Sequence, residues 1–92
     1  MAWTVEIQSR LQRRVPQLPK AVRASLALLL SEIETRGPVR GNWENYAKLG
    51  ETRHHCHLKK GHPTYVAVWD VVDTNIRLVE VIYVGTHEKA PY

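Results

Sequence analysis

The sequence predicts an α+β domain in the order β-α-α-β-β-β, a helical hairpin packed on a small, mostly antiparallel sheet. Three observations point there. Val22, Leu26, Leu29, Leu30 and Ile33 recur at helical spacing and make one apolar stripe. After residue 52 come three segments rich in strand-forming residues, joined by short turns, which is the pattern of an antiparallel meander. Near the start, Trp3, Val5 and Ile7 alternate with Thr4 and Glu6, as a short half-buried strand does.

From Ser9 the spacing turns helical, with Ile7, Leu11 and Val15 on one face and Arg10, Arg13 and Arg14 mostly elsewhere. Pro16 stops that helix. Pro19 suits the first turn of the next, where its missing N–H is no loss, so a second helix is expected over residues 19–35. Gly37-Pro38 ends it. Residues 37–52 read as a loop-rich connection. The first meander strand is Arg53-His54-His55-Cys56-His57-Leu58-Lys59, turned by Gly61-His62-Pro63. Residues 64–72 are apolar on both faces, as in a central strand. Asp73-Thr74-Asn75 makes a turn, residues 76–84 form the last strand, and residues 85–92 are a tail.

The chain has 92 residues, enough for a single domain over 1–92 with one modest core. Its net charge of +4 is uneven. Residues 1–63 carry 11 Lys/Arg against 5 Asp/Glu, and residues 64–92 carry 2 against 4. A basic front suits a polyanionic partner. The helix arginines are either a solvated face or a surface that meets RNA. A lone cysteine allows no internal disulfide. No apolar run reaches the roughly 18–20 residues that span a membrane. The start Met1-Ala2-Trp3-Thr4-Val5-Glu6 lacks the regions of a signal peptide, so the expectation is a soluble cytoplasmic protein with no membrane partner.

On a strand, Arg53, His55, His57 and Lys59 fall on one face, and His54, Cys56 and Leu58 on the other. That splits His54, His55, Cys56 and His57 between faces, and no second Cys-His pair follows at zinc-finger spacing, so no metal is expected. Cys56 lies on the face suited to a core, where a thiol is inert packing. Acid-base cleavage of RNA fits the other face. It needs a base for the 2′-hydroxyl, an acid for the leaving 5′-oxygen and cations for the phosphate. Histidine can serve either proton role near neutral pH. His57 and His87 are the best pair, since the last strand delivers His87 to the rim of the sheet. His55 shares the face of His57 and is a further catalytic candidate. Arg53, Lys59 and Lys60 are candidate phosphate ligands. In the connection, Trp43 and Tyr46 lie among Arg40 and Lys48; they either stack bases and hold phosphate or tuck the loop onto the core.

Four stretches resemble the RelE/ParE toxin superfamily and, within it, the RelE, HigB and YafQ-like branch. They are Gly41-Asn42-Trp43-Glu44-Asn45-Tyr46-Ala47-Lys48-Leu49, His55-Cys56-His57-Leu58, Tyr65-Val66-Ala67-Val68-Trp69 and Val84-Gly85-Thr86-His87-Glu88-Lys89-Ala90-Pro91-Tyr92. The resemblance spans nearly the whole chain. It implies the toxin of a type II toxin–antitoxin system, a ribonuclease that enters the ribosomal A site and cuts mRNA without metal or cofactor. A cognate antitoxin wraps and blocks such a toxin. His57 matches the histidine of the branch's Cys-His-hydrophobic strand, and His87 that of its terminal Gly-Thr-His. Tyr92 matches a C-terminal functional tyrosine that stacks on or orients the substrate. The chain departs from RelE at Val66, where RelE carries a strand arginine. The alternatives on the same fold are a ParE-like gyrase inhibitor that cuts no RNA, and a degenerate toxin that only binds its antitoxin.

Overall fold

The computed structural model describes residues 2–92. Strand β1 (Thr4–Ile7), helices α1 (Ser9–Gln12) and α2 (Lys20–Arg36), and strands β2 (Ala47–Lys48), β3 (Arg53–Lys59), β4 (Tyr65–Asp73) and β5 (Leu78–Thr86) follow in that order. Short 3-10 turns lie at Val15–Gln17 and His87–Lys89. The strands make one five-stranded sheet, ordered β1-β5-β4-β3-β2. Among the described residues only the β1–β5 pair, at one edge, is parallel. This is the expected α+β arrangement, helices on one side of a mostly antiparallel sheet.

Helix α2 carries the core. Val22, Leu26, Leu29 and Ile33 are buried against Cys56, Ala67, Trp69, Val79 and Val81 of the sheet. The carbonyl of Pro19 accepts the Arg23 N–H at 3.0 Å and opens the helix. Gly37 closes it, with φ +98° and its N–H donating to the Ile33 carbonyl at 2.9 Å. A side chain is disfavoured there, because a Cβ would lie 3.2 Å from Trp3 Nε1 in a backbone conformation that favours glycine. Trp3 in turn donates its N–H to the Glu34 carbonyl at 2.7 Å and so ties the first strand to the end of α2.

Three local expectations are corrected. The first helix is a single α-turn, since Pro16 has no N–H to give to the Gln12 carbonyl and the chain passes into a 3-10 turn instead. The connection contains a short strand, β2, paired with His54 and His55; two residues carry no readable period. The last strand begins two residues late. Asp73 Oδ1 accepts the N–H groups of Asn75 at 2.8 Å and Ile76 at 3.2 Å, which lengthens the turn through Ile76.

Strand β4 is central, and Val66, Ala67, Val68 and Trp69 are all fully buried. His54 belongs to the core as well. Its ring stacks on Trp69 at 5.8 Å and 7°, and its Nδ1 shares a 2.7 Å hydrogen bond with the Tyr46 hydroxyl. Among the described residues no helix is long and apolar enough to cross a membrane.

Leu29→Ala is expected to lower the unfolding free energy by about 2–5 kcal/mol. Leu28→Ala, at a residue 57% exposed, should move it by less than about 0.5 kcal/mol. Urea denaturation of the two variants checks the assignment of faces on α2. A second expectation concerns pH. Burial, then Lys48, hold the His54 pKa below the ordinary 6.5, against the pull of Asp70. The unfolded chain therefore binds this proton more tightly, and stability present above about pH 6.5 is lost as the pH falls below it. His54→Phe keeps a ring on Trp69 and cannot titrate. Its stability should fall less steeply on acidification, by up to about 1.4 kcal/mol per pH unit. Urea unfolding from neutral to mildly acidic pH measures the slope, and an unchanged slope removes His54 as its source.

Candidate active site

On the sheet face turned away from α2, four rings from two distant parts of the chain meet. Strand β3 supplies His55 and His57, the turn after β5 supplies His87, and the tail supplies Tyr92. Their centroids form a closed circuit: Tyr92 to His55 at 4.6 Å, His55 to His57 at 6.1 Å, His57 to His87 at 5.5 Å and His87 to Tyr92 at 5.8 Å. Every contact is edge-to-face. The four residues expected to do chemistry are thus brought together.

Register and hydrogen bonds explain the placement. His55 lies opposite Val68 and His57 opposite Val66 on β4, so both rings stand over its buried valines. The His57 N–H donates to the Glu44 carbonyl at 2.8 Å, which fastens the connecting loop to this strand. His55 Nδ1 lies 3.3 Å from the Ala47 carbonyl. A carbonyl only accepts, so Nδ1 carries the proton and the Nε2 of neutral His55 is left as the acceptor. His57 has its pKa held below the usual histidine value, by burial first and then by His87 and His55. It is therefore neutral at physiological pH and able to take a proton. Beside it, a cleft of roughly 280 Å³ is lined by His57, His62, Thr64, His87 and Glu88. Burial also raises the pKa of the Tyr92 phenol, which stays protonated.

His87 is fixed from two sides. Its N–H donates to the Thr64 carbonyl at 2.9 Å. The residue before it is held by Tyr83, whose hydroxyl donates to the Thr86 carbonyl at 2.6 Å. This bond passes over Gly85, where a Cβ would come within 2.7 Å of the Tyr83 oxygen. Neither Tyr83 nor Gly85 was expected at the site. A glycine inside a strand pattern is the signal for such a close approach.

The cations are arranged otherwise than the alternating face predicts. Arg53 forms a two-pronged pair with Asp70, at 2.8 and 2.9 Å, rather than pointing unpaired into the cluster. A bulge between His57 and Lys59 shifts the register and sets Lys59 opposite Tyr65, out of step with the histidine row. Lys60 pairs with Glu44. Lys48 lies opposite His54 and so shares its face, not that of His55. Trp43 is turned to the helix, where Glu32 Oε1 accepts its Nε1–H at 2.9 Å along with Asn42 at 2.8 Å and Arg40 at 3.2 Å. Those bonds, led by Asn42, pull the Glu32 pKa down. Tyr46 is engaged by His54.

A cysteine nucleophile is disfavoured by placement. Cys56 is fully buried on the helix side and its pKa is pushed up to about 12, chiefly by burial, so it supplies no thiolate. Among the described residues no group of three or more His, Cys, Asp or Glu side chains is placed to hold a metal ion.

The Tyr83 clamp is testable without any substrate. Tyr83→Phe keeps the ring and removes one hydrogen bond, about 0.5–1.5 kcal/mol of stability. The fold should persist while the His87 ring resonances shift and the nuclear Overhauser contact between His57 and His87 weakens. Gly85→Ala, which displaces the Tyr83 ring, should do the same or more. Unchanged histidine spectra in both variants would remove Tyr83 from the site.

No family model matches the chain, and no curated protein matches it significantly. Solved structures do. The E. coli toxin RelE, as a mutant in the free state, superposes with a TM-score of 0.73 at 23% identity, over 98% of this chain and 88% of that one. The archaeal RelE–RelB complex from Pyrococcus horikoshii gives 0.70 at 14% identity, over 98% of this chain and 100% of that one. What the three chains have in common at such identities is their architecture, and by that measure this chain has the RelE toxin fold.

Proposed function

We propose that the protein is the toxin of a toxin–antitoxin pair and acts as a metal-independent, ribosome-dependent mRNA endoribonuclease. The observation that carries this reading is the four-ring cluster on the helix-free face of a RelE fold, with His57 and His87 rings 5.5 Å apart. Neutral His57 takes the proton from the 2′-hydroxyl. The 2′-oxygen then attacks phosphorus, and the bond from phosphorus to the 5′-oxygen breaks. His87 in its protonated form gives its proton to that departing oxygen. The upstream fragment keeps a 2′,3′-cyclic phosphate, and proton exchange with water resets the pair. His55, with its tautomer fixed, and Tyr92 hold the substrate side of the cluster in place.

Charge on the phosphorane is carried here chiefly by imidazolium, because Arg53 is committed to Asp70 and, by the resemblance to RelE, Val66 takes the place of a strand arginine. The partners in this reading are mRNA in the ribosomal A site and a cognate antitoxin, as the RelE–RelB complex suggests by analogy. A cytoplasmic location follows from those partners. The absence of an unpaired arginine in the cluster favours one second reading, a toxin that binds its antitoxin, or gyrase in the manner of ParE, and cuts nothing.

Primer extension on a reporter mRNA with purified ribosomes separates the two. Wild type should cut within A-site codons, and His57→Ala and His87→Ala should each lower the rate by about 10²–10⁴. Equal cutting by both folded variants would discard these residues, and no cutting by wild type would leave the second reading. A pH profile adds a sign. A base with a lowered pKa stays unprotonated further into acid, so the acidic limb of kcat/KM should lie below 6.5, the ordinary value for His57. A limb at or above that value assigns the base to another group.

A further inference from the structure

The arginines of the first helical segment find a setting that the cluster does not use. Two adjoining clefts, of roughly 240 and 420 Å³, run beside the end of β5 and are walled by Arg14, Tyr83 and Lys89 in common. Arg10 lines the first and Tyr65 the second. No Asp or Glu lines either one. Arg10, Arg14 and Lys89 are exposed, and none forms an ion pair among the described residues. We infer that this groove is a second RNA-binding site, holding the sugar-phosphate backbone of single-stranded RNA next to the strand segment that enters the histidine cluster.

The inference deepens the ribonuclease reading and rests on it. Three cations with no carboxylate among them attract a polyanion. Two tyrosines in the same walls offer apolar faces to bases, the combination that single-stranded nucleic acid uses. Continuity supplies the rest. The tail is the partition between groove and cluster: Lys89 and Pro91 line the groove, while His87 and Tyr92 meet the other rings. A strand leaving the cluster over the tail therefore enters the cationic groove. On the cluster side the cleft carries Glu88, which repels phosphate and leaves the groove as the more cationic path.

Fluorescence anisotropy with a labelled, unstructured single-stranded RNA oligonucleotide tests this without cleavage. The triple variant Arg10→Ala/Arg14→Ala/Lys89→Ala should bind at least about tenfold more weakly, and its plot of log affinity against log salt should be shallower by about two. Arg14→Gln alone, a milder change, should lose about a third of that slope. A control that removes the same kind of charge elsewhere, Lys20→Ala/Arg36→Ala, should keep the wild-type slope to within about half a unit. Affinity and slope unchanged in the triple variant would overturn the groove. So would a variant that keeps its RNA affinity and loses affinity for polyglutamate, which would assign the surface to an acidic protein segment. Wild type that binds the oligonucleotide through the groove and yet cuts no mRNA on ribosomes would sink the ribonuclease reading and leave the groove standing.

Discussion

The architecture depends on a central strand that is buried on both faces with a helix on only one of them. Ala67 and Trp69 of β4 point into the core under α2. Val66 and Val68 point the other way and are equally buried. Among the described residues neither valine belongs to the core under α2, so other groups keep water off them. His57 and His55 stand directly opposite them across the β3–β4 ladder, and the tail brings Tyr92 onto His55. Roughly 25 cal/mol per Å² of apolar surface removed from water is available to hold those rings down. The candidate site is thus also the second cover of the sheet, which accounts for a titratable cluster that is part buried and edge-to-face.

The opposite side of the molecule steadies this arrangement. Glu32, on the face of α2 toward the connection, accepts three hydrogen bonds through one oxygen and anchors the loop at Arg40, Asn42 and Trp43. The same loop offers the Glu44 carbonyl to the backbone of His57. Helix, loop and strand β3 are thereby joined in sequence. At the far end of the cluster the Tyr83 hydroxyl and the Thr64 carbonyl do the same for the chain around His87. Histidines with few rotatable bonds, mounted on a sheet and on a turn held from two sides, are placed more firmly than lysines on a loop.

Charge is divided between two surfaces. In the cluster the permanent cations are withdrawn, Arg53 to Asp70 and Lys60 to Glu44. The histidines that remain are of the residue type that can gain or lose a proton near neutral pH. Permanent charge gathers instead along the groove beside β5, where Arg10, Arg14 and Lys89 face no carboxylate. Permanent charge thus lies on a surface that adjoins the cluster rather than within it.

The α2 stripe and the central strand with apolar residues on both sides were readable as periodicity. Each rests on local spacing, and burial rewards local spacing directly. Features that were not readable depend on partners far along the chain. Nothing near Arg53 announces that Asp70 will neutralise it, and nothing near Tyr83 announces that its hydroxyl will cross Gly85. Alternation alone put Lys59 on the histidine face; one extra residue at Leu58 moved it off, because a bulge breaks a period of two at a single point. The sequence by itself determined which faces are apolar and which residue types can move a proton. Only the tertiary structure decided which charges remain available and which rings touch, since those outcomes are set by the register between strands that the chain does not encode locally.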